Sequence, residues 1–391
     1  MLITVLLFAI ILAVLGAYVS HDAFAPYVAV PTVWIVAILI YLFMPSTLYP
    51  ICNNFPLALL IWLLGFSISS ICSERYTPAC SQASQARTPN RKILNAYIVI
   101  TWITIPVICS LYIWQAITED PQYVFRYLRM MSTGQDDNIT PPNLGILMYL
   151  TSLSFICLFF AFLYTKNKWV IGSIVGLNLL FAITTMAKTS LLSVFFSSLC
   201  LCYFIKKISI KQIVMGMTFF VIVCFVLQTV RQGSEEMETN SFLSLYLSSS
   251  MVAFDYFTLP ASSIMLGEHT FRIIYAIGHA IGFTEAPTDT ILPFVSVPDI
   301  TNTYTNLYPF YVDFGMLGVF FFSIVYGGIY GYLYKKSKTG GKLELILYAV
   351  FLTFILMEFI GEFIFTNLST FLQYIFFTAL PFMFNKQAKT R

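Results

Sequence analysis

The residues with most capacity for chemistry are three cations, Lys188, Arg231 and Arg272, three carboxylates, Asp313, Glu358 and Glu362, and one histidine, His269. Arginine holds anionic oxygens bidentately and lysine holds them as a point charge. A carboxylate or imidazole within hydrogen-bond reach of a hydroxyl can take its proton. Asn302, Tyr304 and Tyr311, in "TNTYTNLYPFYVDFG" at 301–315, add hydrogen-bonding groups and flat apolar ring faces directly ahead of the apolar run Met316–Tyr334.

Each of these residues has a simpler reading. Arg231, in "LQTVRQGS", could anchor a span end with its stem laid along lipid. Arg272 could pair with Glu268 one helical turn back, a surface interaction worth about 0.3–0.5 kcal/mol. Asp313 could complement the N-terminus of the helix it precedes, worth about 0.3–1 kcal/mol. Glu358 and Glu362, in "LMEFIGEFIF", fall four apart on one helical face, and charges this deep in an apolar run face a cavity or a partner. Of the other histidines, His279 has Ala and Gly neighbours that suit packing or capping, and His21 lies with Asp22 on the side opposite the candidate site. Asp136 and Asp137, in "GQDDNITPPN", suit a solvated turn better than a divalent metal. The eight cysteines lie mostly in apolar runs with no metal-ligand spacing, so neither a disulfide framework nor a metal is expected.

The elements that must position these residues are membrane helices. A chain with 58% hydrophobic residues, 10% charged residues and mean hydropathy +0.81 lies outside the soluble globular range. Apolar runs of about 20 residues, the length of one helical crossing, recur throughout. Breaks at Pro, Gly and charge predict eleven spans, at 2–19, 28–45, 55–72, 93–115, 145–164, 169–185, 189–205, 212–230, 314–334, 344–362 and 368–384. The first is read as a retained span because it lacks a basic leader and a small-residue cleavage site. One polytopic domain, 1–391, is expected, with outer loops at 116–143 and 231–313. Within the larger loop, "SFLSLYLSSSMVAFDYF" is predicted as an interfacial helix, "FRIIYAIGHAIGF" as a shorter amphipathic one and "TEAPTDTILPFVSVPDI" as irregular.

Lys and Arg are retained on the cytoplasmic side of a membrane protein. Sixteen of the 21 basic residues fall in alternate loops and the tail: Arg75, Arg87, Arg91, Lys92, Lys166, Lys168, Lys206, Lys207, Lys211, Lys335, Lys336, Lys338, Lys342, Lys386, Lys389 and Arg391. The tail is therefore expected inside and, with an odd number of spans, the N-terminus outside. Arg126, Arg129, Lys188, Arg231 and Arg272 are left on the outer side, against the bias, which makes each a candidate anion ligand. The net charge of +3 is too small to argue for nucleic acid. A polar chamber opening outward, with cations and carboxylates at the lipid boundary, suits a lipid-linked phosphate whose tail stays in the bilayer.

"NTYTNLYPFYVDFGMLGVFFFSIVYGGIYGYLYKK", following a long outer loop with "GEHTF" and an arginine closing the preceding span, resembles the O-antigen (oligosaccharide repeat-unit) polymerases of the Wzy type. The resemblance implies a multi-pass protein of the bacterial inner membrane, with a GT-C-like polymerase/ligase architecture and an active site facing the periplasm. It implies a metal-free, cofactor-free glycosyltransferase of lipopolysaccharide biosynthesis that acts on undecaprenyl-pyrophosphate-linked repeat units. The growing chain would pass to the non-reducing end of a new unit, and a chain-length regulator is admitted as a partner. Carried onto this chain, phosphate binding falls to Arg231 and Arg272, and the motif residues are Asn302, Tyr304, Tyr311 and Asp313; the general base stays open among Asp313, Glu358, Glu362 and His269. Lys188 stands where related sequences often carry arginine, and the arginine-to-glycine spacing motif of some polymerases is absent. An O-antigen ligase and a lipid-linked oligosaccharide flippase are the alternatives. A membrane acyltransferase is disfavoured because no His/Arg pair occurs in the early spans.

Overall fold

The computed structural model describes residues 1–44, 47–52, 54–81, 85, 87–133, 139–206, 211, 212, 215, 218, 222, 242–260, 267–289, 291–298 and 300–384. Arg231, Asp136, Asp137 and most of the predicted span 212–230 lie outside them, as does the side chain of Lys188.

In lipid, a backbone must satisfy its own polar groups, so long apolar runs become helices. The described residues form α1 (Leu2–Ser20), α2 (Pro26–Phe43), α3 (Asn54–Tyr76), α4 (Arg91–Glu119), α5 (Val124–Thr133), α6 (Leu147–Tyr164), α7 (Lys168–Thr184), α8 (Lys188–Lys206), α9 (Phe242–Phe257) and α10 (Arg272–Ala280). A two-residue antiparallel pair follows, β1 (Val295–Ser296) with β2 (Ile300–Thr301), and then α11 (Tyr308–Lys338), α12 (Lys342–Ile355) and α13 (Leu368–Met383). Six of them, α1, α2, α3, α4, α6 and α11, are long and apolar enough to cross a membrane, and α7, α8 and α13 are shorter apolar helices. The chain is an all-α protein of transmembrane character.

Two compact units divide the chain. The first comprises residues 1–85 and 238–371, and the second residues 86–237 and 372–391. In the first unit, α3 and α11 approach backbone to backbone. A Cβ on Gly331 would meet the Ser70 carbonyl oxygen at 2.2 Å, and one on Gly327 the Phe66 carbonyl oxygen at 2.3 Å. Around that seam Trp62 stacks on Phe310, and Phe310 on Phe322, at ring separations of 5.9 and 4.3 Å. In the second unit Asn90 caps α4 by accepting from Lys92 N, and Asn167 caps α7 by accepting from Trp169 N. Tyr97 Oη donates to the Phe377 carbonyl at 3.0 Å, tying α4 to α13. The helix α5 buries Leu128 and Met131 against Ile108 and Tyr112 of α4.

Three expectations need correction. The segment predicted as an interfacial helix, α9, buries Ser248–Phe254 inside the first unit, with Ser250 Oγ bonded to the Phe359 carbonyl and Ser249 Oγ 3.4 Å from Thr301 Oγ1. Ser248, Ser249 and Ser250 face inward, where small side chains pack closely, and the last two find partners. The predicted span 344–362 stops as a helix at Ile355, so Glu358 and Glu362 do not share a helical face. The long helix α11 begins at Tyr308 rather than at 314 and breaks at Gly315, whose φ of 62° and ψ of −152° favour glycine. Asp313 therefore lies in a short helical segment ahead of the break and still precedes the membrane-length helix that follows Gly315.

Candidate functional site

The break at Gly315 presents Asp313 to the turn that leads into α10. Asp313 Oδ2 accepts from Thr270 N at 2.7 Å, and Oδ1 accepts from His269 N at 3.3 Å and lies 2.9 Å from His269 Nδ1. The aspartate side chain is 1% exposed and the histidine side chain 19%. A buried carboxylate facing Nδ1 fixes the proton there, which leaves Nε2 as the ring's acceptor. The Tyr308 ring stands edge-on to the imidazole at 5.9 Å, and Glu268 Oε1 lies 3.9 Å from Nδ1. The donors that Asp313 satisfies thus lie in the 267–271 turn. Chemically, the pair is a base held in one tautomer by a carboxylate that spends its other lone pairs on backbone.

Arg272 opens α10 three residues after His269 and does not pair with Glu268. Its Nε donates to the Thr288 carbonyl, and Thr288 Oγ1 donates to the Glu268 carbonyl at 3.2 Å, so the arginine ties the loop 284–289 to the dyad's turn. Burial lowers the guanidinium from its usual range while the charge of Asp289 opposes the shift, and arginine stays cationic throughout. With Nε committed to the chain, an anion would be met by the Nη edge. In the second unit Arg129, on α5, is lowered by burial to about 10.

The aromatic candidates are interior. Tyr304 is buried, donates its hydroxyl to the Pro293 carbonyl at 3.2 Å and packs on Tyr308 at 4.6 Å. Tyr311 is buried with its ring 5.2 Å from Phe254. Asn302 is half-buried beside Thr301 and Thr303, whose hydroxyls are 2.8 Å apart. Stacking of a ligand on Tyr304 or Tyr311 would require these contacts to open.

Glu358 and Glu362 brace the irregular segment between α12 and α13. Glu358 Oε2 accepts from Trp62 Nε1 at 3.2 Å and from Asn306 Nδ2 at 3.0 Å, while its carbonyl accepts from Asn306 N at 2.8 Å. Glu362 gathers Ile364 N at 2.7 Å, Phe365 N at 3.0 Å and Thr366 N at 2.7 Å, together with the Tyr326 hydroxyl. Both carboxylates line a small cavity with space for about one water and none for a sugar. The acceptor sites of Glu362 and Glu358 Oε2 serve the fold, whereas Glu358 Oε1 is buried with no hydrogen-bond partner among the described residues.

Asp313, His269 and Arg272 therefore converge in the first unit, with Glu358, Glu362, Tyr304 and Tyr311 in its interior. Lys188 begins α8 in the second unit. Among the described residues no three His, Cys, Asp or Glu side chains gather as metal ligands would. Thr270, Asn306, Tyr308 and Trp62 escaped the sequence reading. A carboxylate inside an apolar run signals that donors must exist, but spacing does not say that one of them is an indole 296 residues away. Comparison with protein families, curated proteins and solved structures finds no match to this chain.

Proposed function

We propose that the chain is an O-antigen polymerase, a glycosyltransferase of the bacterial inner membrane working at its periplasmic face. The observation that supports this reading most is the Asp313–His269 pair, with Arg272 one helical turn away, standing where a loop returns to a membrane-length helix. In the reaction the acceptor hydroxyl of a newly arrived repeat unit gives its proton to His269 Nε2. Its oxygen then bonds to the anomeric carbon of the growing chain as that carbon's bond to undecaprenyl pyrophosphate breaks. Asp313 stabilises the imidazolium that forms, a task for a carboxylate that itself stays ionised. The departing pyrophosphate gains negative charge, which Arg272 meets with its Nη edge; Arg231 and Lys188 are proposed to share it. Eleven spans and a GT-C-like architecture belong to the same proposal.

His269→Ala and Arg272→Ala should each reduce surface polysaccharide to single repeat units on the lipid A core, read as a ladder on a gel. Positioned acid–base catalysis contributes about 10²–10⁴-fold, so the histidine variant should retain at most a trace of long chains. Full-length ladders in both variants would overturn the assignment.

A histidine-centred site equally suits an O-antigen ligase, which takes the same lipid donor and transfers to lipid A core. A deletion strain separates the two: a ladder collapsed to one repeat marks a polymerase, and loss of every repeat from the core marks a ligase. Accumulation of lipid-linked units inside the cell would mark a flippase instead.

A further inference from the structure

The helix α10 is amphipathic in the opposite sense to a water-facing helix. Ile274, Ile277 and Ile281 recur at helical spacing and are 60%, 58% and 64% exposed, and Phe283 is 84% exposed. On the other side, Arg272 and Tyr275 are half-buried against the chain, Arg272 through Thr288. The outward set of Phe283 is fixed by hydrogen bonds: Phe283 N donates to the Gly278 carbonyl at 2.8 Å and Thr284 Oγ1 to the Tyr275 carbonyl at 2.9 Å. Gly278 admits that turn, since a Cβ there would meet Thr284 Oγ1 at 2.7 Å. Helices that turn an apolar face away from the protein belong in lipid or against a partner.

The position of α10 on α11 selects lipid. Phe271, just ahead of α10, packs on Phe314 and Phe322 at 6.3 and 6.0 Å. At that level the outer strip of the membrane-length helix begins, with Leu317 80% and Phe321 59% exposed. The apolar face of α10 thus follows directly on a residue packed beside the exposed apolar strip of a helix long and apolar enough to cross a membrane.

We propose that α10 is an interfacial anchor, its Ile274–Ile277–Ile281 face and Phe283 seated in the boundary layer of the bilayer. Seated there, it holds His269 and Arg272 at the level of lipid headgroups. This rests on the transmembrane character of the chain and not on glycosyl transfer, so either can fail without the other.

The full chain, reconstituted in phosphatidylethanolamine–phosphatidylglycerol vesicles, tests it by photocrosslinking. A benzophenone amino acid replaces Ile277, Phe283 or, as the control on the opposite side, Ala276. Lipid adducts at 277 and 283 that are lost at 276 support the anchor. Adducts to a second polypeptide, or equal lipid yield at all three positions, overturn it. Ile277→Glu, at an exposed position that leaves the fold intact, should abolish the lipid adduct at 283; an undiminished adduct would count against the seated face.

Discussion

Asp313 carries four demands with two oxygens: two backbone N–H groups, an imidazole, and its own burial. Asp313→Asn keeps the shape but puts an amide N–H against a donor, so either the Thr270 bond or the His269 bond must go. The expected outcome is loss of polymer with normal amounts of folded protein, by on the order of 10²-fold or more in rate, measured as turnover of lipid-linked repeat units by purified variant. Glu362 makes the opposite case. It holds three consecutive backbone N–H groups that no helix satisfies, and a buried orphan donor costs about 1–3 kcal/mol. Glu362→Ala should therefore lower stability by about 3 kcal/mol or more, seen as early thermal unfolding in detergent. Glu362→Gln, which keeps one carbonyl acceptor, should cost less. If Glu362→Gln unfolds normally yet abolishes turnover, the carboxylate has a chemical role beyond bracing.

At the scale of elements, helix bodies were legible and their ends were not. The runs 2–19, 93–115 and 368–384 are helices at Leu2–Ser20, Arg91–Glu119 and Leu368–Met383 because a long apolar segment in lipid has no other way to pair its backbone. The end of α12 was hidden because the apolar run continues past Ile355. What stops the helix is the competition of Glu358 and Glu362 for partners distant in sequence or lying ahead of it. The base pair of the site was partly legible: His269, Arg272 and Asp313 could be chosen by charge and side of the membrane. That the aspartate turns to the histidine depends on the positive φ of Gly315, a backbone event that no side-chain pattern announces. The seam of α3 and α11 yields a prediction of its own. Gly331→Ala places a methyl on the Ser70 carbonyl and, because the obstruction is backbone, the two helices must separate. Overpacking of this kind costs about 1–3 kcal/mol, so a lowered unfolding temperature is expected, whereas Gly328→Ala, which meets nothing within 4 Å, should be silent.

At the scale of the whole first unit, one end is marked by lysines and the other by the dyad. Lys338 Nζ lies 3.5 Å from Asp22, Tyr334 Oη donates to Asp22 at 2.9 Å, Tyr27 Oη donates to Glu74 at 2.9 Å and Cys80 N donates to Thr339 Oγ1 at 3.0 Å. The turn between α1 and α2, the end of α3 and the end of α11 therefore share one face, with Arg75, Lys335, Lys336 and Lys338 upon it. From Met316 to Lys338 a helix rises about 34 Å at ~1.5 Å per residue, just over the ~30 Å of a hydrocarbon core. Asp313 and His269 thus stand across one membrane thickness from the lysines. Under the proposed orientation, retention of basic residues in the cytoplasm puts the dyad on the outer face, as the proposed polymerase requires. Alkaline phosphatase, which works only after export, should be active when fused after Glu285 and inactive when fused after Thr339. Green fluorescent protein should report the reverse. Phosphatase activity at Thr339 alone would invert the unit, place His269 in the cytoplasm and exclude a periplasmic polymerase, whatever the chemistry of the dyad.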